Sequence, residues 1–79
     1  MVDIIDEQTG EVELQGNTLS EAVRLMSNLL HPTKTYLFID SQTGRVLEKT
    51  KRKYIYCLKG MDSAISKYEY ELKLKHPDL

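Results

Sequence analysis

Ile5-Asp6-Glu7-Gln8-Thr9-Gly10-Glu11-Val12 returns 34 residues later as Ile39-Asp40-Ser41-Gln42-Thr43-Gly44-Arg45-Val46, identical at six of eight positions. Both stretches carry hairpin chemistry. An aspartate at the head of the turn can hydrogen-bond forward to backbone amides, and a glycine can take the positive φ that closes a hairpin after a type I turn. The residues leading in are β-branched or aromatic, Val2-Asp3-Ile4-Ile5 and Tyr36-Leu37-Phe38-Ile39, as strands prefer. Each stretch therefore predicts two antiparallel strands.

Outward from each hairpin the same order recurs: a glycine, a helix signal, then His-Pro. Gly16 precedes Thr18-Leu19-Ser20-Glu21, a capping box whose hydroxyl and carboxylate satisfy amides at a helix start. Leu19, Ala22, Val23, Met26, Leu29 and Leu30 then follow at helical spacing and form one apolar face, which His31-Pro32 ends. Gly60 precedes Asp62, a good N-cap, and Met61, Ile65, Tyr68 and Leu72 form the second stripe, which His76-Pro77 ends. The expected fold is α+β, ordered ββαββα from an internal duplication. It has a small antiparallel sheet of four strands with two helices on one face. Residues 1–79 make a single domain with half-repeats of about 1–32 and 35–77.

The halves differ in length at one place. Gly10 to Gly16 is short, whereas Gly44 to Gly60 carries about ten residues more and contains Lys49-Thr50-Lys51-Arg52-Lys53. Arg45 to Leu58 reads either as one long strand or as two strands joined by a turn near Lys49 to Arg52, which would add a fifth strand. Tyr54-Ile55-Tyr56-Cys57-Leu58 is strand-like in both versions.

Composition narrows the function classes. A chain of 79 residues buries only about 60% of the surface it exposes when unfolded, so its core is thin and association would help it. Eleven basic residues against twelve acidic ones create no global field toward nucleic acid or an anionic membrane. A lone cysteine, Cys57, excludes an internal disulfide and suits a reducing compartment. The acidic start of the chain is unlike a signal peptide, and no apolar run approaches the roughly 20 residues that cross a bilayer. The expected setting is the cytoplasm, with no membrane partner.

No catalytic or cofactor motif is visible: the chain has no phosphate-cradling glycine loop, paired-cysteine metal motif or nucleophile elbow. His31 and His76 with Cys57 and Asp78 lack metal-ligand spacing, and a histidine in the last helical turn already suits the negative end of the helix dipole. Cys57 would serve as a small apolar filler. Asp6 and Asp40 could pair only if the fold brought both turns together. The expectation is a protein without catalytic residues, metal or cofactor.

Two surface features remain. On the last helix Tyr70 and Leu74 lie one turn apart, away from the Met61-Ile65-Tyr68-Leu72 stripe, and a leftover apolar stripe with a tyrosine suits a protein interface. Lys49, Lys51, Arg52 and Lys53, with Tyr54 beside them, could contact phosphates and a base, although lysines also protect an exposed strand edge. Alternation along a single strand would divide this cluster, and a turn near Lys51 would reunite it.

Asp6 to Ala22, with Thr-Gly closing a hairpin before Ser20-Glu21-Ala22, resembles the three-stranded DNA-binding units at the N-termini of phage-type integrases over fewer than twenty residues. The chain has no basic enrichment there. An αβββα order from the first helix onward would be similar to double-stranded-RNA-binding domains, but Met61-Asp62-Ser63 stands where those domains carry lysines. Neither resemblance names a family. In style the chain is similar to phage or mobile-element accessory proteins. The leading expectation is a non-enzymatic protein-binding module, an inhibitor or adaptor that could homodimerise, with nucleic-acid binding through the basic run as the alternative.

Overall fold

The fold comes from a computed structural model, which describes residues 1–29, 33–51, 55 and 62–79. Six elements follow one another: β1 (Val2–Asp6), β2 (Val12–Gly16), α1 (Leu19–Leu29), β3 (Thr35–Asp40), β4 (Val46–Lys51) and α2 (Asp62–Lys75). The strands form one antiparallel sheet in the order β2-β1-β3-β4. The class is α+β, with four strands and two helices among the described residues.

The repeated octapeptide builds the same turn twice. Gly10 and Gly44 both have φ of 75°, a conformation that costs any residue with a Cβ. Their amides donate to the carbonyls of Asp6 and Asp40, each at 2.8 Å. Oδ1 of Asp6 accepts the Gln8 amide at 2.9 Å, and Oδ1 of Asp40 accepts the Gln42 amide at 3.0 Å. Thr9 and Thr43 hydroxyls accept the amides of Glu11 and Arg45, both at 3.2 Å. Identical side chains thus make the same bonds to the turn backbone.

The correspondence extends along the strands. Ile4 pairs with Leu14 and Ile5 with Val12, which leaves Glu13 as a bulge residue. Phe38 pairs with Glu48 and Ile39 with Val46, which leaves Leu47 in the same role. Across the central pair Val2 faces Asp40, Ile4 faces Phe38 and Asp6 faces Tyr36. The two hairpins are therefore related by a pseudo-two-fold axis through the Ile4–Phe38 rung. The two turns lie at opposite ends of the sheet, so Asp6 and Asp40 are not brought together as a carboxylate pair.

Strand alternation sends Val2, Ile4, Tyr36 and Phe38 to one face, where they are buried. Leu19, Ala22, Val23 and Met26 of α1 and Ile65 and Leu72 of α2 join that core, with Leu47 of β4 and Ile55. As predicted, Thr18 caps α1: its hydroxyl accepts the Glu21 amide at 3.1 Å, while the Glu21 carboxylate accepts the amide of Asn17. Gly16 has a packing role as well. A Cβ there would lie 2.8 Å from the Ala22 backbone nitrogen, so glycine lets the first turn of α1 sit directly on the end of β2.

The extra length of the second half lies elsewhere than its glycines suggest. By strand register Thr50, not Gly60, is the counterpart of Gly16, and β4 runs regularly to Lys51. The additional residues, 52–61, follow β4 in the chain, and Lys49 and Lys51 lie within the second hairpin. Within 52–61 only Ile55 is described; it is helical and fully buried in the core. At that residue the strand expectation is corrected, because burial of one apolar side chain satisfies either backbone conformation. His31, Leu30, Cys57 and Met61 lie outside the described residues, as do Arg52, Lys53, Tyr54 and Tyr56.

Candidate protein-binding face

Helix α2 turns Ile65 and Leu72 into the core, and the 3.6-residue period sends Tyr70 and Leu74 outward. Their exposures are 63% and 64%. Tyr68 packs against the core edge. Beside Tyr70 runs a groove of about 490 Å³ between α2 and the start of α1, lined among others by Thr18, Ser20, Ser66, Tyr70, Lys73 and Leu79. An apolar tyrosine face next to hydroxyls and an ammonium group suits recognition of a surface with both apolar and polar parts.

Polar contacts among the described residues help fix this helix against the rest of the chain. Arg24 of α1 forms a two-pronged ion pair with Glu69, with the second prong at 3.3 Å. His76 Nε2 lies 3.1 Å from the carbonyl oxygen of Leu47, so the end of α2 is tied to the bulge in β4. Beyond it the chain folds back, and the Leu79 backbone oxygen accepts the Leu19 amide at 3.1 Å, supplying one of the donors left open at the start of α1 with an acceptor. The groove floor is thus built from both helices and the 76–79 segment.

Over its described part, Lys49 to Lys51, the basic run follows strand alternation. Lys49 pairs with Leu37 and Lys51 with Thr35 on the sheet face turned away from the helices, whereas Thr50 pairs with the buried Tyr36. Lys49 forms an ion pair with Glu7. Arg52, Lys53 and Tyr54 lie outside the described residues.

Charge at the repeated turns is structural. Asp6 is 2% exposed; the Lys34 ammonium 3.0 Å from its Oδ2, with the Gln8 amide, holds its carboxyl below the usual range, and Asp6 in turn raises Lys34. In Asp40 the corresponding Oδ2 accepts the Thr43 hydroxyl at 3.1 Å instead. The Gln42 amide foremost, and that hydroxyl, keep Asp40 low as well. Among the described residues no three His, Cys, Asp or Glu side chains gather as a metal site, and no helix is long and apolar enough to cross a membrane.

The outward placement of Tyr70 and Leu74 follows from helical period alone. The groove beside them has no local signal, because Thr18, Ser20 and the 77–79 segment reach it only through the packing of α1 against α2. No family model, curated protein or solved structure matches this chain.

Proposed function

We propose that this chain is a non-enzymatic protein-binding module, an inhibitor or adaptor, that engages its partner through the outer face of α2. The observation that carries the reading is the outward placement of Tyr70 and Leu74, each more than three-fifths exposed, beside a groove large enough to seat a partner side chain. Monomeric proteins expose single apolar residues freely, but an aromatic and a leucine one turn apart on a helix held by its own ion pair form a ready anchor. The helix face opposite them is already buried, so further partner contact does not compete with folding.

A photo-crosslinking side chain at position 70 tests this. The expected result is a discrete adduct with one protein of the host, abolished by Leu74→Asp and absent when the crosslinker sits at Gln42. Crosslinking that is diffuse, or equal at both positions, overturns the proposal. Nucleic-acid binding through Lys49, Lys51, Arg52, Lys53 and Tyr54 has less support, since Lys49 is already engaged by Glu7.

The two hairpins also read as the product of an internal duplication. Support comes from the matching turn bonds, the matching bulges at Glu13 and Leu47, and the pseudo-two-fold pairing of β1 with β3.

A further inference from the structure

The pseudo-two-fold halves are alike in backbone and opposite in charge. With Asp6 and Asp40 buried and Lys34 bonded to Asp6, the accessible charges of the first hairpin are Asp3, Glu7, Glu11 and Glu13, whereas those of the second are Arg45, Lys51 and Lys49, the last paired with Glu7, against Glu48. Because the strand order is β2-β1-β3-β4, the acidic hairpin occupies one half of the sheet's width and the basic hairpin the other. Charge thus runs across the strands.

The sheet face away from the helices has no described element over it. Register places Val12 beside Ile5, Ile5 beside Leu37, and Ile39 beside Val46 on that face. Val12 and Val46 are 50% and 53% exposed, and Ile5, Leu37 and Ile39 are only partly covered. Asp3, whose carboxylate accepts a bond from Gln15 at 2.7 Å, and Lys49 with Lys51 flank this aliphatic band.

We propose that a second copy of this chain covers the open face, packed sheet to sheet about a two-fold axis running along the strands. Such an axis reverses the sheet's width, so each acidic hairpin lies over the partner's basic one, and Ile5 stacks near Leu37 across the interface. An axis across the strands would instead stack each hairpin on its own copy, acid on acid. Glu11 and Lys51, exposed at one end of the sheet on its opposite edges, meet across the first axis and not the second, and a two-fold contact closes on itself without leading to fibres. Four strands about 4.8 Å apart and five residues long at about 3.3 Å each give a small footprint, at or below the low end of specific interfaces. The dimer is weak.

Sedimentation velocity on the full chain over a wide concentration range tests the proposal. Expected is a reversible monomer–dimer equilibrium that weakens as salt is raised. Leu37→Glu weakens it at least about tenfold, as does Val46→Glu, which sits at a half-exposed site and covers the case in which Leu37→Glu fails to fold. Lys51→Glu weakens it too, and adding Glu11→Lys to that variant restores it. Tyr70→Ala with Leu74→Ala leaves it unchanged, which separates this surface from the α2 face. A chain that stays monomeric to about 1 mM overturns the proposal. So does a dimer that survives Leu37→Glu and Val46→Glu, or one lost with Tyr70 and Leu74.

Discussion

The ammonium of Lys34 lies 3.0 Å from Oδ2 of Asp6, so a carboxylate buried at the head of one hairpin is held by a lysine that leads into the other. Asp6 and Asp40 have folded pKa values below their unfolded ones. Their stabilisation is full above the unfolded carboxylate value of about 3.9 and is lost as pH falls through the lower folded values. Lys34 is raised, so its part holds below about 10.4 and is lost as pH rises through the folded value. Thermal melts followed by circular dichroism should show a plateau between about pH 4 and pH 10 and a fall on the acid side. Asp6→Asn should lower the plateau and shallow the acid limb, leaving the Asp40 contribution. An unchanged acid limb would count against this assignment.

Glycine substitutions should separate two costs. A Cβ at Gly10 or Gly44 meets nothing within 4 Å, so Gly10→Ala and Gly44→Ala each lose only about 1–2 kcal/mol to the left-handed backbone. The two effects should add, because the turns lie at opposite ends of the sheet. Gly16→Ala has ordinary φ but drives a Cβ against the α1 backbone, which cannot turn aside as a flexible side chain would. It should cost about 1–3 kcal/mol and loosen α1. Urea denaturation of the three variants and the Gly10/Gly44 double variant checks both claims.

Core and outer-face substitutions on the same molecule should diverge. Phe38 is fully buried, and Phe38→Ala should cost about 3–5 kcal/mol, enough to unfold much of so small a chain. Tyr70→Ala and Leu74→Ala should each change stability by no more than about 0.5 kcal/mol, while the position-70 adduct is lost in Leu74→Ala. Chemical denaturation and crosslinking together read this contrast.

The Arg24–Glu69 pair is two-pronged, and its carboxylate is only 15% exposed while Arg24 is half-exposed. A double-mutant cycle with Arg24→Ala and Glu69→Ala should give a coupling of about 0.5–1 kcal/mol, at the upper end for pairs reaching solvent. The coupling should shrink in high salt. A coupling near zero would mean that the pair adds nothing measurable to the hold that Ile65, Leu72 and the His76 contact have on α2.

What the sequence by itself determined is what depends on near neighbours. The Asp-x-Gln-Thr-Gly turns close through bonds between residues two to five apart, so both hairpins were legible residue by residue. The alternation of Tyr36-Leu37-Phe38 and the helical spacing of Ile65, Leu72, Tyr70 and Leu74 set which side chains point together, because these periods belong to the backbone. Only the tertiary structure decided where the second half departs from the first, since Gly16 and Thr50 correspond by strand register rather than by residue type. It also decided which charges meet: Lys34 with Asp6, Arg24 with Glu69 and Lys49 with Glu7. Those partners lie far apart in the chain and have no local pattern. The sheet face that no described element covers, and its division into acidic and basic halves, emerge once β1 and β3 pair at the centre, for only that pairing places the two oppositely charged hairpins side by side.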